Sequence, residues 1–320
     1  MKCALIALSS HEAQLALALA QKLPNADVFV HNRILCAIKP QPKGVVDGET
    51  GRHGDEGKQL LPKRVAKKSL RHAKILRAPK PFRSVLALTT EIFSRYHGLI
   101  YIAPCGVAVR AIAAHVKNKL ADPAVVVVDA GGRFAISLLS GHEGGANDLA
   151  LTISNILSAE PIISTTSEAL KTVIAGVGCR RGTSARQIII ALKSALKEAA
   201  VALSEVRLLA SADIKSNEAG LIEAARRLKL PLRFISSAEL RNTCRIFRCS
   251  EFVKTKVNLP AVAEPAALLA GRRTQLILPK RVYPGVTVAL ARESCLWSAS
   301  DPAAALTALT APKKRSRKAR

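Results

Sequence analysis

The sequence predicts an α/β protein made of two three-layer α/β/α domains with mostly parallel or mixed sheets. Three observations lead there. The chain has 320 residues, enough to bury a sizeable core and closer to two domains of ordinary size than to one. Short apolar runs alternate along it with stretches of helical periodicity, which argues for helices covering both faces of a sheet. The alternation pauses near residue 170, where "IISTTSEALKTVIAGVG" carries the chain almost directly from one set of elements to the next.

Taken in order, residues 2 to 8, 11 to 23 and 27 to 30 read as strand, helix and strand. The opening "MKCALIALSS" is basic and then apolar like a secretion signal. The pattern runs on into helix and strand with no clear cleavage site, however, so the segment is read as the first strand of a cytoplasmic domain. From 39 to 81 the chain is rich in Gly, Pro and Lys/Arg with little sustained period, which predicts a mobile basic insertion. Order returns with a helix near 83 to 95, the strand "GLIYIA", and the helix "CGVAVRAIAAHV" with Val107, Ile112 and Val116 on its apolar side. "AVVVV" and "FAISLL" then read as strands joined by the turn "DAGGR". Ala146, Leu149, Ile153, Ile156 and Leu157 recur at helical spacing and end before "EPIIST".

The second domain is expected to begin with the strand "TVIAGVG", the loop "CRRGTS" and a helix from 184 to about 199. "VRLLA", "NEAGLIEAARRLK" and "PLRFI" continue as strand, helix and strand, followed by helices near 250 to 257 and 264 to 270 and closing strands "TQLILP" and "GVTVALA". The expected boundaries are 1–171, 172–292 and a basic flexible tail over 293–320. No internal repeat of fixed period is visible.

The formal charge of +26 calls for an anionic partner. Nucleic acid is the default, but aromatic residues make up only 3% of the chain and no reading motif is present, so specific nucleic-acid binding is not expected. Apolar runs fall short of the roughly 20 residues of a membrane-spanning helix, and no membrane association is expected. The seven cysteines are scattered and show no C-x-x-C pair, so neither a disulfide framework nor a zinc site is signalled, and a reducing cytoplasm fits best.

Two motifs carry chemistry. In "SLLSGHEGGAND", Gly141, Gly144 and Gly145 allow a sharp turn after a strand and expose backbone N–H groups at the start of a helix, which suits an anion or an oxyanion. His142 stands at that mouth as a candidate general base, with Glu143, Asn147 and Asp148 near in sequence. The plain alternative is a surface histidine in a capped glycine-rich loop. "GVGCRRGTS" also follows a strand and opens a helix, with Thr183 or Ser184 as N-cap. It matches neither G-x-G-x-x-G nor a P-loop. Arg180 and Arg181 suit carboxylates, because a guanidinium makes two parallel bonds to one, while the alternative is a tight turn with two solvated arginines. Cys179 reads as a small buried filler rather than a nucleophile. Loops after parallel strands converge at one edge of a sheet, so Arg110, Lys117, Lys119, Asp122, Asp129 and Arg133 are expected to share a crevice with His142, while the plain alternative for each is a solvated loop charge.

These segments in this order resemble the cobalt-precorrin-5A hydrolases, the cobalamin biosynthesis protein G (CbiG) family. The resemblance rests on the stretch from "GLIYIAPCGVAVRAI" through "SLLSGHEGGANDLA", on "GVGCRRGTSARQI", "LASADIKSNEAGLIEAARRLKLPLRFISSAEL", "AVAEPAALLAG" and "LILPKRVYPGVTVALAR", over most of 83 to 292. It departs from the family pattern in the "ALSSHEAQ" and "PCGV" turns, and the two domains are joined directly without the middle segment of longer family members.

The resemblance implies an enzyme of anaerobic cobalamin (vitamin B12) biosynthesis that opens the lactone of cobalt-precorrin-5A and releases acetaldehyde, giving cobalt-precorrin-5B. On the chemistry above, His142, Glu143 and Asp129 are the candidate catalytic residues. Ser140, Gly144, Gly145, Asn147, Arg110, Arg133, Arg180, Arg181, Thr183 and Ser184 are the candidate substrate-binding residues. No protein-held metal and no cofactor are expected, since cobalt arrives inside the substrate macrocycle. The implied partner is the carboxylate-rich cobalt tetrapyrrole, with transient contact with other enzymes of the route and a homodimer as further expectations. The alternatives are a non-catalytic corrinoid-binding or delivery protein and, less favoured, a basic nucleic-acid-binding protein.

Overall fold

The structure, a computed structural model, describes residues 1–34, 78–247 and 259–294. It forms two compact units, the first Met1–Ala169 and the second starting at Leu170.

The first unit contains β1 (Cys3–Ala7), α1 (Ser10–Lys22), β2 (Ala26–His31), β3 (Lys80–Phe82), α2 (Val85–Ile92), β4 (Gly98–Ile102) and α3 (Cys105–Ile112). It continues with β5 (Ala124–Val128), β6 (Phe134–Leu139), α4 (Ala146–Leu157), β7 (Glu160–Ile162) and the short α5 (Thr166–Ala169). Its seven strands lie in the order β3-β2-β1-β4-β5-β6-β7. Neighbours from β3 to β5 pair in parallel, β6 returns antiparallel to β5, and β7 runs parallel to β6.

The central strands are buried on both faces, so they read as continuous apolar runs rather than alternating ones. Leu5, Ile100, Ile102, Val126 and Val128 pack with Ala16 and Leu19 of α1 and Leu149 and Ile153 of α4. Their sequence neighbours Ile6, Leu99, Tyr101, Val125 and Val127 face the other way, against Leu88 and Ile92 of α2 and Ala108 and Ile112 of α3. The period of two along each strand therefore builds the three layers. Tyr101 is fully buried, its hydroxyl paired with Thr89 Oγ1 at 2.8 Å, and burial pushes its pKa up to about 12 despite that bond.

Two readings of this unit are corrected. The expected basic insertion does not extend to residue 81: Lys80–Phe82 is an ordered edge strand in register with Phe29–His31 of β2. The prolines that suggested a loop are compatible with an edge, where no ladder N–H is required on the outer side. Lys80 also pairs at 3.1 Å with the buried Asp27, which accepts a 2.6 Å hydrogen bond from Tyr96. The rest of that insertion reading, 39–77, lies outside the described residues. Val116 is exposed rather than buried: α3 ends at Ile112, and its buried face is Ala108, Ala111 and Ile112.

The second unit contains β8 (Val173–Cys179), α6 (Ala185–Glu198), β9 (Val206–Ala212), α7 (Ala219–Leu228) and β10 (Leu232–Ile235). These are followed by α8 (Ser237–Asn242), α9 (Ala263–Leu269), β11 (Thr274–Tyr283) and β12 (Val286–Glu293). Its five strands lie in the order β10-β9-β8-β12-β11. β8, β9 and β10 are parallel, and β12 runs antiparallel to both β8 and β11. One face packs on Ile188 and Leu192 of α6 with Leu221 and Ala224 of α7. The other packs on Leu240 of α8 with Ala266, Ala267 and Leu268 of α9. The helix expected near 250–257 and the tail beyond residue 294 lie outside the described residues.

Candidate functional site

In the first unit the turn after β6 is built by close packing around Ser140. Ser140 itself is buried and takes a left-handed conformation, φ 57°. A Cβ on Gly144 would stand 2.4 Å from the Cβ of Ser140, so the chain doubles back only because residue 144 has no side chain. Gly145 caps α4 in the left-handed region, φ 83°, where glycine carries no steric penalty. The carbonyls of Ser140 and Gly141 accept hydrogen bonds from the N–H groups of Ala146 and Asn147 at 3.1 and 3.0 Å.

Those two bonds correct the reading of the whole helix start as an open N–H cluster, because its first two donors are already used inside the loop. Among the described residues, the N–H groups of His142, Gly144 and Gly145 donate to no protein acceptor. The His142 ring is exposed and forms no hydrogen bond among the described residues.

The side chains around the turn divide into fixed and available groups. Asn147 is structural: it accepts from Ser137 Oγ at 2.8 Å and donates to Thr165 Oγ1 at 3.1 Å, which ties β6, α4 and the segment after β7 together. Glu143 forms a 2.8 Å ion pair with Lys119. That hydrogen bond holds the Glu143 carboxyl below the usual glutamate range and raises the Lys119 ammonium, so Glu143 is a carboxylate at neutral pH and not a proton donor. Asp122 is buried and braces its own loop by accepting from the N–H groups of Lys117 and Asn118. Its carbonyl lies 3.3 Å from the position a Gly144 Cβ would take, which sets the Lys117–Asp122 segment beside the His142 turn.

Arg110, Asp129 and Arg133 are not in that group. Since β6 runs antiparallel to β5, the turn that follows β6 sits at the edge where β5 begins, while Asp129 and Arg133 sit where β5 ends. The five residues of β5 separate the edges by about 17 Å at the usual strand rise. The expectation of one shared crevice is therefore corrected: Lys117, Lys119 and Asp122 are at the His142 edge, and Arg110, Asp129 and Arg133 are at the other.

Asp129 is also committed to its own turn. It accepts from the N–H groups of Arg133 and Phe134 at 2.7 and 2.8 Å and from Arg133 Nε at 3.0 Å. Desolvation works to raise its pKa, but the Phe134 N–H, the Arg133 guanidinium and the Arg133 N–H outweigh it and hold the carboxyl below the ordinary range. Arg110 folds back on the Gly106 carbonyl at 3.2 Å. At this second edge the strand order reverses between β1 and β4, the position where open α/β sheets present a crevice.

In the second unit the turn after β8 occupies the carboxyl edge of the parallel strands. Ser184 is the N-cap of α6 and forms a reciprocal capping box with Gln187. Thr183 is buried, and its hydroxyl donates to the Arg180 carbonyl at 2.8 Å and approaches the Gly285 carbonyl at 3.3 Å. Both hydroxyls are therefore used in holding the turn. The side chains of Arg180 and Arg181 are exposed and take no hydrogen-bond acceptor among the described residues.

Two residues that sequence reasoning did not single out complete this edge. Glu218, at the start of α7, accepts the Gly182 N–H at 2.8 Å and faces Lys215 at 3.4 Å, with both side chains largely buried. Their signal was a Lys and a Glu three residues apart between a strand and a helix. Cys179 lies beside them, and burial pushes its thiol up more than Lys215 lowers it, so it is a protonated thiol at neutral pH. Among the described residues no group of three His, Cys, Asp or Glu side chains could hold a metal ion, and no helix is long and apolar enough to cross a membrane.

Comparison with known proteins places these two turns in one family. Residues 87–168 match the model described as cobalamin synthesis G N-terminal, and residues 173–291 match the one described as cobalamin synthesis G C-terminus. The chain is 26% identical over 306 residues to the cobalt-precorrin-5A hydrolase of Priestia megaterium, covering 65% of this chain and 82% of that protein. It is 36% identical over 133 residues to protein CobE of Sinorhizobium sp, covering 41% of this chain and 86% of that one. A solved putative cobalamin biosynthesis protein G homolog from Sulfolobus solfataricus aligns over 92% of this chain and 97% of its own, with 16% identity and a TM-score of 0.32. With the His142 turn inside one matched region and the Arg180–Ser184 turn inside the other, and the two regions together spanning well over half of the sequence, the chain belongs to the cobalamin biosynthesis G (CbiG) family.

Proposed function

We propose that this chain hydrolyses the lactone of cobalt-precorrin-5A, releasing acetaldehyde and leaving cobalt-precorrin-5B, in the anaerobic, cytoplasmic route to cobalamin. The observation that carries the chemistry is the contrast inside the turn after β6. Ser140 O, Gly141 O, Glu143 and Asn147 are all engaged, whereas the exposed His142 imidazole and the N–H groups of Gly144 and Gly145 are available to a ligand. The relatives named as cobalt-precorrin-5A hydrolases support the choice of substrate.

In this reading His142 is the general base. It takes a proton from water as the water oxygen attacks the lactone carbonyl carbon, and the Gly144 and Gly145 N–H groups donate to the developing oxyanion. Collapse of the adduct breaks the acyl C–O bond, leaving a carboxylate on the macrocycle and, on the extruded fragment, an alkoxide that takes the proton back from the His142 imidazolium to become an alcohol. Loss of the alcohol proton forms the aldehyde C=O while the bond to the ring breaks, and the electron pair of that bond stays with the macrocycle. Cobalt takes part as a component of the substrate, with no cofactor resident in the protein. Glu143, next to His142 in the chain, is held as a carboxylate by its 2.8 Å bond from Lys119.

Arg180 and Arg181 bind substrate carboxylates in this account, so Ala at both positions raises KM before it lowers kcat. Purified protein incubated with the lactone intermediate should release acetaldehyde in proportion to substrate consumed. Tight binding with no acetaldehyde would replace the enzyme by a corrinoid-binding protein.

A further inference from the structure

Lys215 is an ammonium placed where it needs an anion and is given only a distant one. Its side chain is 17% exposed, and among the described residues its one hydrogen bond is the 3.4 Å contact to Glu218. Charge-assisted N–H to carboxylate bonds usually close to about 2.7–2.9 Å, and an ammonium has three donors to satisfy. A largely buried ion pair of this kind gives little stability for its desolvation cost, so stability alone does not account for its presence.

The surroundings specify the anion. Glu218 sets one carboxylate oxygen on the Gly182 N–H at 2.8 Å and turns the other toward Lys215. A planar two-oxygen group therefore already fits between the turn and the ammonium. The turn can come this close to α7 because residue 220 is glycine: a Cβ there would stand 1.9 Å from the Thr183 carbonyl oxygen. The exposed guanidinium groups of Arg180 and Arg181 rise from the same turn, and all of this lies at the carboxyl edge of parallel strands, where α/β sheets bind ligands.

We infer that Lys215 and the Gly182 N–H form a carboxylate-binding site in the second unit, and that Glu218 is its internal occupant, displaced when a carboxylate of the ligand enters. The inference rests on the reading of the ligand as a carboxylate-rich tetrapyrrole. It adds to that reading the residues that grip one carboxylate and the residue that holds their place before binding. Glu218 keeps the ammonium compensated in the free protein and sets the strength of binding by competing with the ligand.

Equilibrium binding of uroporphyrin, a tetrapyrrole octacarboxylate, to the full chain tests this, with its octamethyl ester and inorganic phosphate as controls. Wild type should bind the porphyrin saturably and the ester at least tenfold more weakly, with phosphate competing poorly. Lys215→Met should weaken porphyrin binding about tenfold or more, the scale of one lost charge-assisted hydrogen bond. Glu218→Gln, which removes the competing charge and keeps the shape, should tighten it severalfold. Unchanged or weakened binding in Glu218→Gln overturns the inference, and that variant decides the matter even if Lys215→Met does not fold. Equal binding of acid and ester, or no saturable binding by folded wild type, also overturns it. Because no acetaldehyde is measured, failure of the hydrolase reading shows separately, as a chain that binds the porphyrin as described yet does not turn over the lactone.

Discussion

Asp129 and His142 lie at opposite edges of one sheet, because β6 carries the chain back antiparallel to β5 between them. Their separation gives them different work. His142 is left available at its turn, while Asp129 spends its carboxylate on Arg133 and Phe134. Asp129→Ala is expected to lower unfolding free energy by about 1–2 kcal/mol, the scale of lost hydrogen bonds to a partly exposed charged group. Turnover should stay within about threefold of wild type, since no contact to the reacting atoms is removed. A drop of the size expected for His142 would put Asp129 in the chemistry.

The same carboxylate sets a pH dependence with a definite sign. The folded pKa of Asp129 is depressed, so its contribution is fully present above the unfolded aspartate value of about 3.9 and is lost as pH falls through the lower folded value. Denaturant unfolding of wild type and Asp129→Asn should show a gap at neutral pH that closes in acid. A gap that widens on acidification contradicts the assignment.

Gly144→Ala is expected to disturb the His142 turn directly, since the added Cβ meets Ser140 Cβ at 2.4 Å and the Ser140 carbonyl at 3.0 Å. Forced packing of this kind costs about 1–3 kcal/mol. Turnover should fall further than stability does, because the displaced Gly144 N–H is one of the proposed oxyanion donors. Thermal unfolding and initial rates measured on the same preparation separate the two losses.

Ser184→Ala should cost about 1 kcal/mol by removing the N-cap of α6, and Thr183→Val should loosen the turn that Thr183 ties to Gly285. Both changes should appear in stability before they appear in KM. A KM effect with unchanged stability would return these hydroxyls to direct substrate contact.

The layers were legible because each element carries its own local signal: "GLIYIA" and "AVVVV" are apolar throughout as strands buried on both faces must be, and Ser184 with Gln187 spells a capping box. β3 was missed because Pro79 and Pro81 mark an edge strand and a loop alike. The sequence shows "DAGGR" as a turn between two strands but not that the second strand returns antiparallel, so Asp129 reads as a neighbour of His142. The grouping treated every strand as parallel, and the antiparallel return of β6 sends its following turn to the far edge. Lys215 and Glu218 offer the sequence only a Lys and a Glu three residues apart between a strand and a helix; their tie to Gly182, 36 residues away from Glu218, comes with folding.

The central claim is that His142 is the base for lactone opening, and the rate of acetaldehyde release by His142→Ala tests it most directly. General-base assistance is typically worth about a hundredfold to ten-thousandfold in rate. The variant should lose turnover on that scale, with thermal unfolding and porphyrin binding near wild type, because the exposed ring contributes little packing. A folded His142→Ala protein that retains more than about a tenth of wild-type turnover would contradict the assignment by the same measure.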